Sequence, residues 1–301
     1  MTSPTIQPTI QAEAFVAYVE RELKTLHKRL REVVKTGKKS AVHQARVASR
    51  RLETVLHIAR PGLDWNAVKP AAKLARTVRR RLGKLRDLQV MRESLRSRGR
   101  DVADPIVKAL DDRIESTSTK MRQQFSSADL SSERTSTAAL TKAIRRSLPA
   151  IETLVRDALR DALKAFDHGA RNLDVMKGKA SGIHRLRVAG KQLRYTLEIA
   201  TVIGVTRDGV MSRQLKQAQD RLGAWHDAAV IVEFIAGHLV EARTLERDPP
   251  AAVKYLSLAC AISDESLAAL RAFEISFRRG RGALRRTADA LSDERKKRKR
   301  Q

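Results

Sequence analysis

The chain has 301 residues, 42% hydrophobic and 4% aromatic, and a formal net charge of +27. That apolar fraction fills a core, which excludes wholesale disorder, and no stretch approaches the ~18–20 apolar residues of a membrane span. The lone cysteine, Cys260, excludes an intramolecular disulfide and a cysteine-based zinc site, and fits a reducing, cytoplasmic setting.

Residues 1–9 read as a disordered N-terminus, and MTSPTIQPTIQAEA lacks the basic and apolar regions of a signal peptide. Apolar residues then recur at helical spacing, and Ala, Leu, Arg and Lys dominate the composition. The pattern predicts helices at 12–35, 40–60, 66–98, 104–125, 136–147, 150–177, 181–203, 207–243 and 249–277. Ser40 is placed to cap the second, and Pro61-Gly62 to end it. Asp104-Pro105, Pro149 and Pro249-Pro250 stand where further helices open. The Ser/Thr-rich stretch 126–137 reads as a loop. Residues 278–301 read as a basic C-terminal tail ending in ERKKRKRQ, a disordered arm with nonspecific affinity for polyanions, nucleic acid included.

That tail holds 11 Lys and Arg against 3 acids, so residues 1–277 still carry +19. Solubility needs far less. Like charges at this density repel one another and oppose compaction unless counter-charge binds. The partner expected is a polyanion.

An internal repeat carries the most information. VHQARVASRRLETVLHIA at 42–59 matches IHRLRVAGKQLRYTLEIA at 183–200, and LGKLRDLQV at 82–90 matches LGAWHDAAV at 222–230. The two offsets, 141 and 140, are nearly equal. The expected architecture is all-α, with two pseudo-equivalent halves, 10–147 and 148–277, packed together.

At about 100° per residue, Lys39, His43, Arg46, Arg50 and His57 fall in one narrow arc. Ala45, Ala48, Leu52, Val55, Leu56 and Ala59 lie opposite. In the repeat, His184, Arg187, Lys191 and Arg194 share an arc opposed by Leu186, Ala189, Leu193, Leu197 and Ala200. The next helix carries a stripe of Lys69, Lys73, Arg76, Arg80 and Lys84. Its counterpart keeps only Arg213 and Lys216, because Asp220 and Ala224 replace Arg80 and Lys84, so the first half is expected to bind anions more strongly.

A charged helix face is ordinarily just solvated. Here Glu53 and Glu198 are too few to neutralise these faces, and the recurrence in both halves favours function. A phosphate polymer presents regular charge without base edges, which suits bidentate Arg and mobile Lys. Asp87 and Asp227 read as partners of nearby arginines, and Gly83 and Gly223 as sites of close helix packing. Trp65 and Trp225 read as packing residues, and His27, His168, His226 and His238 as ordinary histidines. The chain contains no P-loop, dinucleotide fingerprint, HExxH or GxSxG, and no acidic cluster of the kind that holds Mg²⁺. Binding without catalysis, cofactor or metal is expected.

The blocks VHQARVASRRL and IHRLRVAGKQLRYTLE resemble the CHAD family, named for its conserved-histidine α-helical domain. Its hallmark, His-x-x-Arg-x-x-x-[Arg/Lys] followed by LGxxxD on the next helix, matches His43, Arg46 and Arg50 with Leu82-Gly83 to Asp87. It matches again at His184, Arg187 and Lys191 with Leu222-Gly223 to Asp227, and the likeness covers about 10–277. The resemblance implies two four-helix bundles with pseudo-twofold symmetry, and basic helices lining a central groove or pore. It also implies inorganic polyphosphate as ligand and association with bacterial or archaeal polyphosphate granules. Many members carry a preceding triphosphate tunnel domain, so the stand-alone form is expected here. Glu53 stands where the second half has Arg194, a departure bearing on the symmetry of binding. The rival reading, a nucleic-acid-compacting protein, needs the same charge but is poorly served by 4% aromatics.

Overall fold

The computed structural model describes residues 10–98, 100–125, 133–147, 151–172, 180–207 and 209–300, and these residues form helices with no strand among them. In chain order they are α1 (Ile10–Thr36), α2 (Lys39–Ala59), α3 (Trp65–Arg96), α4 (Arg100–Gln124) and α5 (Glu133–Ser147). There follow α6 (Ile151–Arg171), α7 (Ala180–Val202), α8 (Gly209–Glu241), the short α9 (Thr244–Arg247) and α10 (Pro249–Arg300). The predicted disordered segment 1–9 and the helix start at Pro149 lie outside the described residues.

The apolar stripes seen in the sequence are the buried faces. Phe15, Val19, Leu23, Leu26, Leu30 and Val33 bury the inner side of α1, and Ala45, Ala48, Leu52, Val55 and Ala59 bury that of α2. The matched segments fall on α2–α3 and α7–α8, preceded by α1 and α6 respectively. Neither half keeps a core to itself. One apolar cluster draws on α1 through α8 together with α10. A second joins Leu88, Met91 and Leu95 of α3 and Ile106 and Leu110 of α4 to Ile231 and Ile235 of α8 and Tyr255 of α10.

A polar link crosses between the halves behind the cationic faces. Arg51 of α2 reaches Glu22 of α1 at 3.3 Å and Glu198 of α7 at 2.7 Å. Tyr18 adds a hydroxyl donor to Glu198 at 3.4 Å. Burial and the two carboxylates raise the Tyr18 phenol well above its usual range, so it keeps its proton.

Several boundaries differ from expectation. Helix α2 starts at Lys39, and no side chain, Ser40 included, caps it by hydrogen bond. Pro61-Gly62 does end it, within a 3₁₀ turn over Arg60–Gly62. Helix α4 begins at Arg100, so Pro105 lies inside it rather than at its first position. Of the expected loop at 126–137, residues 133–137 are helical, because Leu140, Ala143 and Ile144 give α5 a buried face. The expected tail is not a separate arm: α10 continues to Arg300. Its apolar face runs on past Phe273 and Phe277 to Leu284 and Ala288, and Arg281 pairs with Asp167 of α6 at 3.0 Å.

Phe166 sits where α6, α7 and α10 meet. Its ring is edge-on to Phe277 with centroids 5.9 Å apart, and it packs against Gly190, where a Cβ would lie 3.1 Å from the ring. Phe166→Ala should therefore cost about 3–5 kcal/mol by urea denaturation. Deleting 278–301 should cost a further measurable amount, about 1–3 kcal/mol for the lost burial of Leu284; a solvated arm would cost nothing.

Candidate functional site

Helix α2 packs on α7, and α3 on α8, so the four motif-bearing segments converge. His43, Arg46 and Arg50 of α2 meet Arg187, Lys191 and Arg194 of α7. Arg79, Arg86 and Asp87 of α3 enter the same cluster, as does Asp227 of α8. Seven Arg and Lys side chains stand against these two carboxylates and Glu53, which is engaged with Arg79 at 2.8 Å.

Arg46 is held by a hydrogen bond from its Nη1 to the Arg79 carbonyl, 2.6 Å. The glycine of the first LGxxxD segment explains its room: a Cβ on Gly83 would stand 3.2 Å from that Nη1. Gly83 thus accommodates a guanidinium rather than a helix, and Gly223 would meet nothing within 4 Å, so neither serves helix packing as expected. Arg194 lies over the Tyr195 ring, 4.7 Å from its centroid, and donates to the Tyr195 hydroxyl at 2.8 Å.

The electrostatics show the strain of gathering like charges away from water. Burial first, then Arg50, pushes Arg46 down to about 10. Burial also lowers Arg50 and Arg187. Lys191 is pushed down to about 7 by burial and by Arg187, Arg50 and Arg46. Burial together with Arg86, Arg194, Arg46 and Lys39 lowers His43, favouring neutral imidazole. His226 is pushed down to about 4 by burial, Arg187, His184 and Lys191, and its ring lies 5.8 Å from that of His184. Asp227 is raised by burial and by Asp87, against the pull of Arg187 and Lys191. Donors also wait unused: Arg187 Nε, Arg194 Nε and Arg86 Nη1 are buried without a hydrogen-bond partner among the described residues.

The other anticipated residues lie elsewhere. Lys39 is ion-paired with Glu93. Lys73 is exposed, and Arg76 borders a shallow hollow with Glu53, His57, Arg60 and Trp65. Trp65 is 39% exposed under the Arg60 guanidinium rather than packed in the core. Arg80 and Lys84 face a separate trough between α3 and α4. Arg213 and Lys216 are exposed on α8, and Lys216 lies ten residues, or about 15 Å of helix, before His226. The stripe does not enter the central cluster, because Arg79 and Arg86 flank Gly83 on the side of α3 turned toward α2, while Arg80 and Lys84 are turned away. Arg79, Arg86 and Tyr195 went unread, and His226, read as an ordinary histidine, lies beside His184 at the cluster. Arg86 and His226 precede the aligned Asp87 and Asp227, a shared position that could have revealed both.

The CHAD domain model matches residues 17–236. The chain is a member of the CHAD family. The structure of the CHAD domain from the plant Ricinus communis superposes with a TM-score of 0.65 at 19% identity, covering 89% of this chain and 92% of that one. PptA from Streptomyces chartreusis superposes with a TM-score of 0.59 at 20% identity, covering 90% and 100%. These likenesses show the CHAD fold. No curated protein sequence matches the chain. No helix among the described residues is long and apolar enough to cross a membrane, and no group of three or more His, Cys, Asp or Glu side chains there is set to hold a metal.

Lys191 makes the strain measurable. An unfolded lysine keeps its proton to about 10.5, whereas the fold releases it near 7. The fold binds fewer protons in that window, so this residue opposes folding more as pH falls from 10.5 to 7. Lys191→Met should raise the melting temperature by a few degrees near pH 7, and the gain should shrink toward pH 10. A gain independent of pH would point to packing instead.

Proposed function

We propose that the cluster binds inorganic polyphosphate, and that the protein acts as a binding module rather than an enzyme. One observation carries this reading. Two His/Arg rows about 140 residues apart in sequence form one half-buried cationic cluster whose guanidinium donors remain partly unengaged. A polymer with a charge on every unit relieves the repulsion among these residues. Arg46, Arg50, Arg187 and Arg194 grip phosphate oxygens, and Lys191 supplies a proton-dependent charge. His43 and His184 flank the row, and each can donate a ring N–H to a phosphate oxygen. Membership in the CHAD family supports the same ligand class. Association with polyphosphate granules follows from it.

Long-chain polyphosphate should bind at physiological salt and survive challenge by DNA, RNA and heparin at equal charge. Displacement by all three alike would reduce the site to a generic cationic surface. Arg46→Ala with Arg187→Ala should weaken binding at least about a hundredfold, since each charge-assisted hydrogen bond contributes about 1.5–3 kcal/mol. Unchanged affinity in the folded double variant would sink the assignment. Affinity should fall steeply with salt.

The bound polymer restores the Lys191 proton, so affinity should decline as pH rises from 7 to 9. Lys191→Met should flatten that profile.

A further inference from the structure

The trough between α3 and α4 is a second concavity with its own chemistry. Its volume is about 940 Å³, and its floor is formed by the apolar Leu88 and Met121. Arg80 and Lys84 stand on the α3 wall, with Ser116, Thr117 and Lys120 on the α4 wall. One turn spacing explains the alignment, because 80 and 84 on one helix and 112, 116, 120 and 124 on the other repeat at four residues.

The charge in the trough is unbalanced. Five Arg and Lys side chains line it against a single carboxylate, Asp112. The neighbouring Asp111 is engaged outside, accepting from Arg92 at 2.9 Å and Arg96 at 2.7 Å. Two of the five cations are committed: Arg81 donates to the Gln124 carbonyl and covers the Phe125 ring, and Arg113 is paired with Glu241. Arg80, Lys84 and Lys120 are exposed, with no ion pair to them among the described residues.

We infer that this trough is a second phosphate site, taking a short run of about three condensed phosphates. It rests on the proposed function for the identity of the ligand. Three uncommitted cations and two hydroxyls on facing walls match a compact run of phosphate oxygens. Nucleic acid fits poorly. Two packed helices lie about 8–10 Å apart, too close to admit a duplex, and the nearby rings of Phe125 and Phe234 lie under Arg81 and Arg113 rather than in the lining, leaving no platform for base stacking. Helix α3 then carries phosphate ligands on two flanks, Arg79 and Arg86 serving the central cluster and Arg80 and Lys84 the trough. A long chain engaging both gains avidity that a short one lacks.

The test is calorimetric titration with tripolyphosphate. Four proteins are compared: wild type, Arg80→Gln/Lys84→Gln/Lys120→Gln, Arg46→Ala/Arg187→Ala, and all five substitutions together, each checked by thermal melting. The central variant should still take up one tripolyphosphate per chain, and the trough substitutions should remove it, lowering that affinity at least tenfold. The triple variant alone should lose one equivalent relative to wild type. Uptake identical in wild type and the triple variant would overturn the trough, whatever the cluster does. Uptake identical in wild type and the central variant would refute the central assignment and leave the trough standing. Tighter binding of adenosine triphosphate than of tripolyphosphate in the central variant would overturn the inorganic assignment.

Discussion

Two helices with cationic polar faces do not approach one another unaided. Here Arg51 makes the approach tolerable, bridging Glu22 of α1 and Glu198 of α7 behind the faces. The apolar cluster shared by both halves supplies the remaining drive, so the repulsion at the front is held by burial and ion pairing at the back. Breaking a half-buried pair of this kind leaves a charge uncompensated. The position of every cationic side chain in the cluster depends on that arrangement.

The acids near the cluster are placed to moderate the charge without cancelling it. Asp87 and Asp227 sit among Arg46, Arg187 and Lys191, and Glu53 draws Arg79 aside. Glu53 occupies the position where the second half has Arg194, so the two halves contribute differently: one binds its own arginine, the other offers a guanidinium stacked on Tyr195. The unequal halves give the site a direction along α2 and α7.

Much of the fold was legible because helices declare themselves through apolar spacing: seven of the nine predicted helices match observed ones to within four residues at both ends, while the one expected over 150–177 ends at Arg171. The ninth, 249–277, ran on as α10 because Leu284 and Ala288 sustain its buried face beneath a sequence dominated by charge. In the site, the His/Arg rows were readable since one wheel position fixes one face. Which flank of a fully polar face meets a neighbour is decided by tertiary packing, and this hid Arg79 and Arg86 behind the more regular stripe of Arg80 and Lys84. His226 was hidden for a related reason: it has no patterned partner on its own helix, and its meaning comes from His184 across the interface.

The bond from Arg46 to the Arg79 carbonyl has a kinetic side. An arginine side chain carries about 2 kcal/mol of rotamer entropy, and here that freedom is surrendered when the chain folds. An arriving polymer meets a guanidinium already pointing one way, with the Gly83 gap keeping it there. Capture then needs no search by the protein, only alignment of the incoming chain, and complexes of this kind differ from one another mainly in how long they last.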